Sequence, residues 1–337
     1  MITLLIITIA IALIFDVING FHDAANSIAT IVTTRVLKPK WAVLWAAFFN
    51  FFAIFVLAPN VAETVSKMIK IKPEDSTFIL VILAGLIGAI IWNLFTWVLA
   101  LPTSSSHALI GGLSGAALAF GGIDTLQYDL ILITALFIFI SPLLGFIGGF
   151  VIMALNYYLF RRFHPQEIDY IFRKGQLVSA ALYSIGHGAN DAQKTMGVIF
   201  GCLLAAGYLT TDDTLSLTNF HTNWIIISCH LAMAIGTALG GWRIVKTLGQ
   251  RITPLKPIGG FSAETSGAIA LFFATATGIP VSTTHTITAS IIGVGMVNTP
   301  LSHIKWTIAT KIVWAWIFTL PCSAVIAALC YYILSFI

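Results

Sequence analysis

Apolar residues run almost unbroken through five long stretches: Trp41 to Ala58, Phe78 to Leu101, Leu130 to Phe160, Trp224 to Gly241 and Ile304 to Ile337. Runs of about 18 or more apolar residues with few charges read as membrane-spanning helices. Residues 1–15 are equally apolar. They lack a basic leading region and a small-residue cleavage site, so they predict a retained spanning segment and not a signal peptide. The pattern predicts an all-α polytopic membrane protein. Two apolar segments, 1–33 and 176–207, are longer than one crossing needs. At about 1.5 Å per residue, the first makes a helix of about 50 Å against a hydrocarbon core of about 30 Å. A break near Asn19–Gly20 and another near Gly186–Gly188 would resolve the excess, so discontinuous helices are expected there.

Composition sharpens this picture. Only 9% of the residues are charged, against about 25% in soluble domains, so the chain cannot clothe a water-facing surface. The net charge of +4 sits in short loops, as orientation signals do, and implies no nucleic acid. Cys202, Cys229, Cys322 and Cys330 lie in apolar runs without metal-ligand spacing. They read as small core residues, and no cofactor is expected.

The polar islands repeat. GFHDAANSIATI at 20–31 aligns with GANDAQKTMGVI at 188–199, and PTSSSH at 102–107 aligns with PVSTTH at 280–285. The offsets are 168 and 178 residues. Two motifs in the same order at similar spacing mark a duplication. The expected organisation is repeat one at 1–160, a basic cytoplasmic linker at 161–175 and repeat two at 176–337. Arg161 to Lys174 is the longest charged segment, and by the positive-inside rule it lies inside. Arg35, Lys38 and Lys40 mark another inside loop, as do Arg243, Lys246, Arg251 and Lys256. Segments 121–129 and 208–223 hold Asp124, Asp129, Asp212 and Asp213 without Lys or Arg, and go outside. The first motif is then followed by an inside loop in one half and an outside loop in the other. That is the inverted-repeat plan of many secondary transporters. Lys67, Lys70 and Lys72 fall outside, partly balanced by Glu63, Glu74 and Asp75. Both termini also fall outside. In this scheme each hydroxyl motif is the tip of a re-entrant helical hairpin, since Pro ends one helix and hydroxyls cap the next.

Asp23 and Asp191 are the first candidates for chemistry. A carboxylate deep in a membrane segment costs about 2.5–3.5 kcal/mol even on the gentler insertion scale. A cation or proton site would compensate both. A structural ion pair with Lys194, three residues on, would compensate Asp191 alone. Asn26 shares a helix face with Asp23, while Asn190 and Gln193 flank Asp191, giving the oxygen ligands a dehydrated Na⁺ takes. Ser104, Ser105, Ser106 and Ser282, Thr283, Thr284 start helices, where hydroxyls and free backbone N–H groups cradle an anion. The competing reading is that they bond back to helix carbonyls or let helices pack closely. His107 and His285 are either structural donors or proton-coupling groups, and His22 and His187 carry the same two readings. Glu264, in GGFSAETSGA, reads as a cation ligand or proton carrier. Asn50 reads as a helix-packing hydrogen bond.

These motifs resemble those of the inorganic phosphate transporter (PiT) family. GFHDAANSIAT and GANDAQKTMGV are similar to its paired signature, while GFSAE with PVSTTH, and PTSSSH, are similar to its hydroxyl motifs. The resemblance spans nearly the whole chain. It implies symport of inorganic phosphate with Na⁺ or H⁺, in some bacterial members as a neutral metal–phosphate complex. It also implies a homodimer in the cytoplasmic membrane. Carried onto this sequence, it makes Asp23, Asn26, Asn190 and Asp191 the cation ligands. Ser104–Ser106, Ser282–Thr284 and Gln193 become the phosphate ligands. The long hydrophilic central loop of eukaryotic members is missing.

A sulfate symporter of the same family is the alternative substrate reading. Phosphate carries protons at neutral pH that Asp23 and Asp191 can accept, and this favours phosphate. An intramembrane Ser–His hydrolase fits poorly, because its nucleophile is needed once and the Ser-x-x-His spacing occurs in both halves. A channel differs from a symporter in passing current without concentrative uptake.

Overall fold

The computed structural model describes residues 1–70, 76–250, 253–298 and 305–336. Lys72, Glu74, Asp75 and Arg251 lie outside the described residues. Among those described there is no β-strand, only an isolated bridge between Ile69 and Leu126. The first six helices are α1 (Ile2–Thr33), α2 (Pro39–Phe52), α3 (Asn60–Ser66), α4 (Ser76–Val98), α5 (Ser105–Gly121) and α6 (Tyr128–Phe160). The next six are α7 (Pro165–Ala205), α8 (Asn223–Leu239), α9 (Trp242–Gln250), α10 (Pro257–Ala276), α11 (Thr283–Asn298) and α12 (Trp306–Ser335). The second set repeats the first in order and approximate length: a long helix, a medium one, a short one, a hairpin pair and a long closing helix with an internal proline, Pro142 or Pro321. Among the described residues, four helices are long and apolar enough to cross a membrane, and α2 with α3, bent by 82°, passes the same test only as a pair, as a broken span or a re-entrant loop.

The expected breaks in the first helix of each half do not occur. α1 is helical through Asn19–Gly20, and α7 is helical for 41 residues through Gly186–Gly188. The glycines serve close packing instead. A Cβ on Gly20 would stand 2.4 Å from the Met233 carbonyl oxygen of α8, and one on Gly188 would stand 2.5 Å from the Asn50 carbonyl oxygen of α2. The excess length of α7 is explained by its start. Residues 165–175 of the expected linker are its first turns, opened by Pro165 and a capping box between His164 and Glu167.

The discontinuities lie at the hydroxyl motifs. α4 turns back into α5 around Pro102, and α10 turns back into α11 around Pro280. A Cβ on Gly85 would touch Leu113, and one on Gly112 would touch Gly85, which makes the first pair antiparallel. The two C-terminal turns match in backbone detail. Leu101 N–H donates to the Thr96 carbonyl and Ile279 N–H to the Ala274 carbonyl. At the left-handed position stand Ala100 (φ 55°) and Gly278 (φ 72°).

The halves interleave. α12 packs on α4 and α5, whereas α6 packs on α10 and α11. Likewise α1 packs on α8 and α2 on α7. Each hairpin turn is also held by the short helix of the other half. Arg243 and Thr247 of α9 donate to the carbonyls of Val98 and Ala100, at 3.2 and 3.3 Å. Asn60 and Thr64 of α3 donate to those of Ala276 and Gly278, at 2.9 and 2.7 Å. These carbonyls end a helix and need outside donors. Phe139, Leu132 and other large apolar side chains of α6 are exposed, as a lipid-facing helix requires. Main-chain bonds from Lys70 to Thr125 and from Gln127 to Met68 place the 67–70 segment beside 121–129. The lysine-bearing loop and the acidic segment therefore share one end of the molecule, and Lys67 is paired with Glu63 at 2.6 Å.

Candidate functional site

The second hydroxyl of each hairpin tip meets a buried carboxylate of α1 or α7, and the third meets Lys194 or Asn26. Ser105 donates to Asp23 Oδ2 at 2.7 Å, and Thr283 donates to Asp191 Oδ2 at 3.2 Å. These bonds stay within one half, at equivalent positions. A second matched pair crosses between halves. Asn26 Nδ2 donates to Thr284 at 2.9 Å, and Lys194 donates to Ser106. Asn26 also reaches Thr283 at 3.3 Å. The first hydroxyl of each motif is a helix cap, since Ser104 accepts from His107 N–H and Ser282 from His285 N–H. The helix-capping reading therefore holds for Ser104 and Ser282, and the other four hydroxyls line an ionic centre. His107 and His285 meet edge to face at 4.5 Å between ring centroids, and His285 stacks on Trp316.

Asp23, His187 and Asp191 each bring a ligand atom within 4.8 Å of the others, all buried. His187 Nε2 lies 3.3 Å from Asp191 Oδ2, while its Nδ1 faces Asn50 Oδ1 at 3.2 Å and Ser27 at 3.3 Å. Asn50 thus does more than pack helices: it donates to Thr237 of α8 and positions the His187 ring. His22 Nδ1 is 2.7 Å from Asp23 Oδ1, with Nε2 3.3 Å from Thr96. The ion pair considered for Asp191 is present, with Lys194 Nζ at 2.6 Å. That ammonium also donates to Ser106 and to the Val281 carbonyl, joining both tips. Sequence reasoning weighed Lys194 only as a counter-charge, and only the three-dimensional meeting of the tips reveals its second task.

Three candidates stand outside this centre. Asn190 is bonded to Thr275, to the Ile279 carbonyl and to Val281 N–H, so it clamps the α10–α11 turn. Gln193 accepts from Val61 N–H and donates to the Ala58 carbonyl, both at 2.9 Å, so it pins the α2–α3 bend. Glu264 accepts from Thr30 (2.6 Å), Ser179 (2.5 Å) and Gln176 (3.0 Å). Thr30 is two turns along α1 from Asp23, about 10 Å away. Sequence reasoning missed Asp16, a fully buried carboxylate on α1. A cleft of 1060 Å³ lies over α3, lined by Asn60, Glu63, Lys67, Lys70, Asp129 and Asp213 among others. Asp213 there is held below the usual carboxylate range by hydrogen bonds from the Thr210 backbone and hydroxyl.

Paired hairpins whose tips converge on buried acids, in an all-helical polytopic membrane protein, are an arrangement suited to a membrane transporter. The comparisons give the family. A model described as the phosphate transporter family matches residues 19–327, and the chain belongs to that family. It is 52% identical to a protein of Rhizobium meliloti (strain 1021) named "Probable low-affinity inorganic phosphate transporter", over 98% of this chain and 96% of that one. It is 41% identical to a protein of the same name from Bacillus subtilis (strain 168), over 99% of both. A solved structure titled "The sodium-dependent phosphate transporter" superposes with a TM-score of 0.90 at 22% identity, covering 99% of this chain and 100% of that one. At that identity the likeness is one of fold.

Proposed function

We propose that this chain carries inorganic phosphate across the cytoplasmic membrane in symport with a cation, Na⁺ or H⁺, through two halves of inverted orientation. The observation that carries the reading is the convergence of both hydroxyl tips on the Asp23–Asp191 pair. Each tip presents a helix N-terminus, whose free N–H groups and dipole favour an anion. Ser105, Ser106, Thr283 and Thr284 supply the hydroxyl donors for phosphate oxygens. Asp23, Asp191 and the Asn26 amide supply oxygen for a hard cation. The centre holds two buried carboxylates against one lysine ammonium, so it offers an anion no excess of fixed positive charge. Bringing phosphate beside it would bury further negative charge, which is prohibitive without a compensating cation. Coupling then follows from charge balance, because neither ion enters well alone. Asn190 and Gln193 serve by holding the turns around the site. The short lengths of α5 and α11, 17 and 16 residues, give helices of about 25 Å, too short for one crossing of about 30 Å. That supports re-entrant hairpins.

Uptake of radiolabelled phosphate into liposomes, under an imposed Na⁺ gradient and separately under a pH gradient, tests the reading. Accumulation driven by one gradient and lost in Asp23→Asn is expected, and names the coupling ion. Failure under both gradients, with sulfate accumulating instead, would overturn the substrate.

A further inference from the structure

The inward face of α1 carries a file of buried polar residues: Asp16, Asn19, Asp23, Asn26 and Thr30. Their spacing of three and four keeps them on one helical stripe. Asp23 and Asn26 belong to the ionic centre, and Thr30 bonds Glu264. Asp16 and Asn19 have no such partners. Both Asp16 carboxylate oxygens, the Asn19 amide oxygen and the Thr195 hydroxyl of α7 are buried without a hydrogen bond. Asn19 and Thr195 stand beside the Asp16 carboxylate, at the edge of hydrogen-bond reach. Asp16 is 0% exposed, Thr195 0% and Asn19 2%. Native proteins rarely leave buried polar atoms unpaired, and each such atom calls for an explanation.

We propose that Asp16, Asn19 and Thr195 form a Na⁺ site separate from the Asp23–Asp191 centre. Four oxygens from a carboxylate, an amide and a hydroxyl are the ligand set of a hard cation. A cation engages all four oxygens at once, whereas a proton on Asp16 reaches one acceptor and leaves the Thr195 hydroxyl to donate back to the carboxyl. Lys194 does not fill this role, since its three donors go to Asp191, Ser106 and Val281. Ser184 holds the position in repeat two that Asp16 holds in repeat one, so the site occurs once. It lies about 10 Å from Asp23 along α1. Cys229 is within electrostatic reach of Asp16. The site would receive the cation before it moves to the centre. Its role as a waiting site rests on the symport reading, while its existence does not.

The test is equilibrium binding of radioactive sodium to the purified full-length protein, without phosphate and with a large organic cation as the control. Wild type, Asp16→Asn, Thr195→Val and Asp23→Asn are compared, with thermal melting confirming that each is folded. Asp16→Asn is expected to bind one Na⁺ fewer per chain than wild type. Thr195→Val, which keeps the carboxylate, is expected to weaken that Na⁺ about tenfold or more, the cost of one lost ligand. Asp23→Asn is expected to retain it. Equal Na⁺ counts in wild type and Asp16→Asn overturn the proposal, as does wild type binding no Na⁺. Loss of phosphate uptake in Asp23→Asn, with an unchanged Na⁺ count in Asp16→Asn, would sink this site and leave the symport reading standing. Normal uptake in Asp23→Asn, with Na⁺ lost in Asp16→Asn, would do the reverse.

Discussion

At the scale of single residues, the centre depends on one cation serving both halves. Lys194 neutralises Asp191 and ties Ser106 to the Val281 carbonyl. Replacing it with Met leaves the buried Asp191 without its lysine counter-charge, a loss of about 3–5 kcal/mol by analogy with other broken buried pairs. Adding Asp191→Asn to Lys194→Met should recover much of that loss, and unfolding in detergent measures both. Equal stability of wild type and Lys194→Met would show that the pair carries no such weight. Much of this centre was legible because duplication marks it. Asp23 with Asp191 and Ser105 with Thr283 are equivalent residues that make equivalent bonds. What differs between copies was harder to read. His22 stands where Asn190 does, and Lys194 stands where Asn26 does. The amide of Gln193 gives no hint in sequence that it turns to the backbone of Ala58 and Val61. Asp16 was legible in principle, because it is seven residues before Asp23 on the same stripe. It was hidden by the apolar length of the segment around it.

Among the elements, the hairpin turns and the glycine contacts are where local geometry decides stability. Ala100 takes the left-handed conformation that Gly278 fills in the other half. A side chain there costs roughly 1–2 kcal/mol. Ala100→Gly should therefore stabilise the fold by about 1 kcal/mol, after the added chain entropy of glycine, read as a higher melting temperature in detergent. Gly188→Ala should do the opposite, since the added methyl meets the Asn50 backbone and helix α2 has to move. Overpacking of this kind costs about 1–3 kcal/mol, and the displaced Asn50 would also release His187. Phosphate uptake should then fall more than stability alone explains. Sequence reading placed the breaks at these glycines, because a long apolar segment with glycine invites a kink. The competing use, close approach of two helices, cannot be told from a break without knowing the neighbour. The hairpin tips were read correctly because Pro followed by hydroxyls dictates an end and a cap within the chain itself.

The molecule as a whole is two sequence repeats but not two separable bodies. Repeat one supplies α6 to the second hairpin, and repeat two supplies α12 to the first. The short helices α3 and α9 are exchanged in the same way. Neither half expressed alone, cut between Arg162 and Phe163, should give a stable protein, whereas co-expression of both should restore phosphate uptake. A half that folds and remains monomeric alone would contradict the interleaving. The helical order of the elements was legible, since periodicity and motif spacing are properties of the chain. The exchange was not, because it depends on which faces meet in space. The exchange also bears on movement. Each hairpin turn is gripped by a helix of the opposite half, so a shift of α3 or α9 transmits directly to a tip.

Both hydroxyl tips and both carboxylates are proposed to form one phosphate site. Equilibrium binding of radiolabelled phosphate to the purified protein, in the presence of the coupling cation, tests it most directly. Ser105→Ala and Thr283→Ala should each weaken binding about tenfold or more, as loss of a donor to a charged ligand does. Unchanged affinity in both variants would contradict the account and place the anion elsewhere.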